Sequence, residues 1–360
     1  MKVAFISRAT LYTSAGGDTK QIELTAQYLR EMGVGVDVFL SNQKIDYNLY
    51  DLLHFFNIIR PADIIKHIKS SRKPYVVSTI FVEYGNIKSE TYGLRGVVKK
   101  VFSDGTLEYL KVLARAIKNG EQIVSKQYIW WGHTKSIRYV IKNASCLLPN
   151  SESEYKRLTD RYKVTGSYRI VPNGIDKRLT EKQYPVNAEY KNAVLCMGRI
   201  ESRKNQLGLI RALNNTQYQV FIHGKPSPNN MVYYQQCVHE AAANIFVKDW
   251  LEDEALYTAY ANAKVHVLPS YFETTGLSSL EAAVMGCNIV VTDMGDTRDY
   301  FGDNAWYCNP DDTASIKAAV DKAFNAPYNN DFREYILKHY TWEQAAKETM
   351  AAYNQVLNKK

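Results

Sequence analysis

The chain has 360 residues, 46% of them hydrophobic and 23% charged, which is the make-up of a globular protein with core enough for two domains. No apolar run reaches the roughly 18 residues that a membrane-spanning helix needs, and the opening MKVAFISRAT lacks the apolar stretch and cleavage site of a signal peptide. The net charge of +8 is lopsided: residues 1–170 hold 26 Lys and Arg against 15 Asp and Glu, the remainder 19 against 22, so the first half is expected to meet something anionic.

In chain order, KVAFIS predicts a strand, DTKQIELTAQYLREMG an amphipathic helix stopped by Gly33, and GVDVFL the next strand. YDLLHFF, PYVVSTIF and ASCLLPNS predict three more buried strands. Between the last two, Arg95–Lys142 carries ten basic and three acidic residues around YIWWGH, which includes Trp130 and Trp131. Nucleic acid, anionic lipid headgroups and a phosphorylated acceptor all fit such a stretch, as does a solvated surface. YRIVPNGID closes the first half, and the polar KRLTEKQYPVNAEYKN reads as a linker.

The alternation then restarts with AVLCMGRI, YQVFIHG, ANIFVKDW, KVHVLPS and NIVVTD. Near-continuous apolar strands alternating with helices predict parallel sheets covered on both faces. The expected fold is therefore α/β, with two doubly wound Rossmann-like domains facing one another across a cleft. Residues 1–187 would form the first domain and 188–340 the second, with a last helix at about 341–360 packing back onto the first. Cys146, Cys196, Cys237, Cys287 and Cys308 are scattered and form no CxxC pair, so they read as reduced core residues.

Ligands of such sheets bind beyond the carboxyl ends of the strands, so the residues there matter most. After KVHVLPS comes YFETTGLSSLEAAVMG, in which Glu273 and Glu281 stand eight positions apart. Gly276 lets the backbone approach a ligand, and the helix beginning after it offers free N–H groups to an anion such as phosphate. Leu277, Leu280 and Val284 flank Glu281, turning it inward or to a rim. A carboxylate on either side of a phosphate site can accept hydrogen bonds from sugar hydroxyls, as a nucleotide-sugar requires. The alternative is a loop acid and a helix-dipole partner. After AVLCM, Gly198 precedes Arg199 and Lys204, two cations fit to bear the charge of a leaving diphosphate. TSAGGD places Gly16 and Gly17 at a helix start, yet matches neither a Walker A loop nor GxGxxG.

This combination resembles the family-4 retaining glycosyltransferases of GT-B fold. Glu273 and Glu281 match their Glu-x7-Glu motif, and Gly198, Arg199, Lys204 and Asn205 match their GRxxxxKN element. VPNGID, IHG and TWEQAAKETMAAY follow the family order. The resemblance is strong from about Tyr168 to Tyr353 and thinner before it. It implies that Arg199, Lys204 and Glu273 carry the catalysis, with the two cations on the diphosphate and Glu273 on hydroxyls of the transferred sugar. Glu281 would hold the ribose. Backbone amides from Thr275 through Gly276 and Leu277 to Ser278 would meet phosphate, beside Gly198. Gly17 would let the opening loop close over the donor, and Val247 and Lys248 would lie near the base. His54 matches a position near the cleft, though a core histidine fits equally. Phe81 stands where many relatives carry His, which leaves the sugar contacts of the first domain open, with His133 as a candidate on the acceptor and sugar side beside His54. No metal or other cofactor is implied.

The implied activity is transfer of a sugar, with retention, from a nucleotide-sugar donor to a glycan, glycolipid or other hydroxyl acceptor. Cell-surface polysaccharide or glycolipid synthesis is the expected setting, in the cytoplasm, with the basic first half touching anionic membrane at its inner face. A non-catalytic GT-B binding module and a nucleotide-sugar epimerase of similar fold are the rival readings. Nucleic acid is not expected as a partner, since no recognised module for it is present.

Overall fold

A computed structural model of the chain describes residues 1–13, 16–82, 126–227 and 230–358. They form two compact units. One comprises the described residues before Gly174 together with those from Trp342 onward, and the other runs Gly174–Thr341.

In the first unit, β1 (Lys2–Ser7), β2 (Gly35–Leu40), β3 (Leu52–Phe56), β4 (Tyr75–Ser78) and β5 (Cys146–Leu148) form a parallel sheet in the order β2-β1-β3-β4-β5. All five residues of β3 are buried, which explains why its pattern is apolar except for His54. Helix Gly17–Glu31 packs through Ile22, Ala26 and Leu29, one stripe at helical spacing. Helix Trp342–Leu357 completes this unit with Trp342, Ala346 and Tyr353 in its core. It is tied there by Arg169 to Glu348 at 2.8 Å and by the Tyr353 hydroxyl to His54 Nδ1 at 2.6 Å.

The second unit has six parallel strands: β6 (Val194–Met197), β7 (Val220–His223), β8 (Ile245–Lys248), β9 (Val265–Leu268), β10 (Asn288–Thr292) and β11 (Trp306–Cys308). Their order is β11-β10-β9-β6-β7-β8. Chain progress therefore reverses between β6 and β9, the neighbouring strands at the centre of the sheet. The carboxyl ends of those two strands form the switch point, where doubly wound sheets bind ligands. Strand β11 was not expected, because three residues at a sheet edge are too few to show a period.

The boundary at Asn173–Gly174 corrects the expected division at 187. The polar stretch after Asp176 is attached to the second unit: Ile175 N donates to Tyr340 O at 2.9 Å, and Asn187 N to the Asn262 side chain at 3.0 Å. All five cysteines are buried and none forms a disulfide among the described residues, and burial pushes the Cys196, Cys237 and Cys308 thiols up to about 12. Among the described residues, no helix is long and apolar enough to cross a membrane.

Four buried histidines, His54, His67, His223 and His266, are held toward the neutral form by burial. Burial lowers His54 and His266 to about 3 and His67 to about 4. An unfolded histidine titrates near about 6.5. Below that pH the unfolded chain therefore binds protons that the folded chain refuses, and stability falls as pH drops. Each such histidine should remove about 1.4 kcal/mol per pH unit below about 6.5, until its folded value is reached. Melting curves between pH 7.5 and 5.5 test this, in a range above the titration of ordinary carboxylates. A flat melting temperature there would contradict it.

Candidate functional site

The site is assembled from the two loops that leave β6 and β9. After β6, Gly198 N donates to His223 O at 3.1 Å, and buried Ile200 donates from its N to Lys225 O at 3.1 Å. Arg199, between them, is exposed and forms no ion pair among the described residues. The turn Ser202–Lys204 follows, and Asn205 adopts a left-handed conformation at φ +56°. Asn205 accepts from Gly208 N at 3.2 Å and donates to Pro269 O at 3.1 Å and Pro310 O at 2.8 Å. One asparagine thus caps the next helix and fastens the β6 loop to the end of β9.

Arg203 makes a second fastening. Its guanidinium donates to Phe272 O at 2.9 Å and to Glu201 at 2.8 Å, while Tyr271 N donates to Arg203 O at 2.9 Å. Glu273 is held on its far side by the loop after β10. Its N donates to Met294 O at 3.0 Å, and its O accepts from Asp296 N at 2.8 Å. Gly295 lies between those partners at φ +109°, and an added Cβ would run into the Glu273 carbonyl. Gly33, at φ +83° with nothing within 4 Å of an added Cβ, provides a control for backbone strain alone. Gly33→Ala should cost about 1 kcal/mol, and Gly295→Ala clearly more, read from their melting temperatures. Equal losses would show that the Gly295 loop yields freely.

The Glu273 carboxylate is 5% exposed. Its Oε1 accepts from Lys204 Nζ at 2.5 Å and from Ser270 Oγ at 2.6 Å. Burial raises the pKa of this carboxyl, but Lys204 and Arg203 and the two hydrogen bonds outweigh that, holding it below the ordinary value. Three residues on, Gly276 at φ +67° begins helix Leu277–Val284. The N–H groups of Gly276, Leu277 and Ser278 have no acceptor among the described residues, so the positive end of the helix is open to an anion. Ser278 Oγ donates to Met197 O at 3.2 Å, which pins this helix start beside the end of β6. Thr275 is buried and donates from its hydroxyl to the Tyr300 hydroxyl at 3.3 Å. Glu281, one turn into the helix, is 4% exposed. Its charge adds to burial in raising the pKa of Tyr260.

Gly198, Arg199, Lys204, Glu273 and the Thr275–Ser278 segment thus converge at one switch point. Lys204 and Glu273, expected to serve different parts of a ligand, are joined to each other. Val247 and Lys248 lie at the end of β8, the sheet-edge strand. Gly224 N donates to Lys248 O at 3.1 Å, so the strand ends run in a row from Gly198 through Gly224 to Lys248. At the usual spacing Lys248 is about 10 Å from Gly198. Its amine pairs with Glu189 and lies over the rings of Phe221 and Phe246.

The first unit holds the other expected residues. His54 is corrected: it is fully buried, its Nδ1 with Tyr353 and its Nε2 with Ser78 Oγ at 2.8 Å, so neither nitrogen can meet a ligand. His133 is 6% exposed, with Nδ1 at 3.2 Å from the Tyr128 hydroxyl. Phe81 is a core residue whose N donates to buried Glu154 at 2.7 Å. Gly17 is exposed in the first turn of its helix, next to Asp18, which Arg8 grips through two nitrogens at 2.7 and 3.1 Å. Most of the basic stretch, residues 95–125, lies outside the described residues. Of its tryptophans, Trp130 is exposed, while Trp131 packs on Tyr139 with Lys69 over its ring at 5.2 Å. Arg203, Ser270 and Gly295 were not singled out from the sequence. Gly295 had a signal, a glycine just past a strand end.

The sequence of the unit that holds this constellation is similar to that of known proteins. Residues 177–339 match the family of glycosyl transferases group 1. Among curated proteins, the chain is 26% identical over 188 residues to O-antigen chain mannosyltransferase B of Escherichia coli, covering 47% of this chain and 48% of that one. It is 24% identical over 221 residues to alpha-maltose-1-phosphate synthase of Mycobacterium tuberculosis, covering 52% and 56%. The chain therefore spans about half the length of the curated relatives it matches. Among solved structures, sucrose-phosphate synthase of Thermosynechococcus elongatus superposes with a TM-score of 0.74 at 16% identity, over 100% of both chains. HepE of Anabaena, in complex with UDP, gives 0.68 at 14% identity over 99% of this chain and 100% of that one. These likenesses show the fold, which is GT-B.

Proposed function

We infer that the chain is a retaining, metal-independent glycosyltransferase that moves a sugar from a nucleotide-sugar to a hydroxyl acceptor. The observation that carries this reading is the meeting of Arg199, Lys204, Glu273 and three free amides at the ends of β6 and β9. Arg199, Lys204 and the amides would hold the diphosphate, Glu273 hydroxyls of the sugar, and Glu281 the ribose. Val247 and Lys248, further along the row of strand ends, suit the base.

In the step itself the bond from the anomeric carbon to the diphosphate breaks, and a bond from that carbon to the acceptor oxygen forms on the same face. The acceptor proton passes to the departing diphosphate oxygen. Charge grows on the diphosphate as its bond breaks, so preorganised cations act where they count most. The two cations would then take the place that a metal ion fills in other transferases.

The likeness to O-antigen chain mannosyltransferase B supports a role in surface polysaccharide or glycolipid synthesis. Work at the inner face of the cytoplasmic membrane, through the basic first half, belongs to the same proposal. A thermal-shift screen of nucleotide-sugars, followed by assays with and without hydroxyl acceptors, tests the reading. Acceptor-dependent turnover with the product anomer matching the donor is expected, with chelator present. Turnover without acceptor would indicate an epimerase, an inverted product would remove retention, and strict need for a metal would overturn the mechanism.

A further inference from the structure

The pair between half-buried Lys204 and buried Glu273 joins the two groups that the donor reading assigns to phosphate and to sugar. Glu273 Oε1 is fully engaged, by Lys204 Nζ at 2.5 Å and Ser270 Oγ at 2.6 Å. Arg199 stands in contrast, exposed and without an ion pair among the described residues. Lys204 is therefore a committed cation of the site and Arg199 an uncommitted one among the described residues.

Resting on the donor reading above, we propose that this pair is an interlock that makes the site favour a whole nucleotide-sugar over the bare nucleoside diphosphate. A phosphate oxygen can recruit Lys204 only by sharing it with Glu273 or taking it away. A buried carboxylate that loses its ammonium partner is strongly destabilised unless other donors replace it. Ser270 provides one such donor, and hydroxyls of a sugar beside the phosphate provide more. A complete donor brings acceptors for Lys204 and donors for Glu273 together, so both groups end satisfied. A bare diphosphate brings acceptors alone. It is met by Arg199 and the free amides, but it must compete with Glu273 for Lys204.

The backbone keeps the exchange confined to side chains. Arg203 holds Phe272 O, and the loop around Gly295 holds both the N and the O of Glu273. The carboxylate cannot retreat by moving its main chain. Once the sugar has been transferred, Glu273 loses its hydroxyl donors and reclaims Lys204, which weakens the grip on the product and favours its release.

The test is calorimetric titration of UDP, GDP and ADP into the wild type, Glu273→Gln, Lys204→Gln and the double variant, each confirmed as folded by its melting curve. Glu273→Gln should bind the preferred diphosphate about tenfold more tightly than the wild type, a difference of about 1.4 kcal/mol. The gain should vanish once Lys204 has been replaced. Glu273→Ala serves as a second release of Lys204, in case the glutamine carbonyl still holds it, and should show the same gain. Equal or weaker binding in both Glu273 variants would overturn the interlock, as would a gain that persists without Lys204. Failure of every variant and of the wild type to bind any of the three diphosphates would instead remove the donor reading, and the interlock with it.

Discussion

Lys204→Ala is expected to lower kcat by about 100- to 1,000-fold, the usual cost of losing one preorganised donor to a developing negative charge. The same substitution should also destabilise the protein. Glu273 is 5% exposed and would lose its cation. Breaking a buried pair by removing one partner costs about 3–5 kcal/mol. The Lys204 side chain keeps 15% of its surface in solvent, which places the loss toward the lower end. The two effects separate in the double variant Lys204→Ala with Glu273→Ala. It leaves no bare charge behind, so it should regain much of the melting temperature while regaining none of the turnover. Donor turnover and thermal unfolding of the wild type and the two variants check this. Full activity of Lys204→Ala would remove the residue from the chemistry, and an unchanged melting temperature would show that water reaches Glu273 freely.

Arg199→Ala should reduce kcat by a similar factor with a different companion effect. Arg199 is exposed and pairs with no carboxylate among the described residues. Its removal should therefore change stability by no more than about 0.5 kcal/mol. A large kinetic loss at constant melting temperature is the signature of a side chain kept for its ligand. The KM for the donor should rise less than kcat falls, because the contact strengthens as the bond breaks. Arg199→Lys should recover little if the guanidinium grips two phosphate oxygens at once, since an ammonium cannot reproduce that fork. Added Mg²⁺ should rescue neither variant. Near-complete recovery by lysine would reduce the contact to a point charge, and wild-type kinetics in Arg199→Ala would move the phosphate elsewhere.

Much of this architecture was legible because parallel strands buried on both faces leave unbroken apolar runs. KVAFIS and GVDVFL lie where their patterns put them, AVLCMGRI and NIVVTD contain the strands Val194–Met197 and Asn288–Thr292, and the loops after Met197 and Leu268 carry the site. Other features had no local trace. WYC is too short for any period, yet it forms the edge strand β11. The chain changes unit at Asn173 rather than in the polar stretch beyond Asp176, because backbone pairing between Ile175 and Tyr340 fixes that crossing. Sequence cannot show such a pairing across so long an interval. His54 looked the same whether it faced a ligand or a core, and only its bonds to Tyr353 and Ser78 decide the matter. Spacing brought Lys204 and Glu273 into one site, but their direct contact depends on how Asn205 and Arg203 draw two loops together.

Helix Trp342–Leu357 belongs to the unit whose other parts precede Gly174. That has a consequence for how the chain is born. Protein domains usually fold in the order in which they leave the ribosome. Here the uninterrupted segment Gly174–Thr341 is available in full while the first sheet still lacks a wall. Trp342 and Tyr353, both fully buried, join that unit only after Gly174–Thr341 has been made, and until then His54 lacks one of its two partners. The unit that contains the residues before Gly174 is thus completed only after the segment Gly174–Thr341 has been made. A stop codon shortly before Trp342 would spare the nucleotide-binding candidate and damage the far end of the sequence, leaving an open apolar seam for chaperones to find.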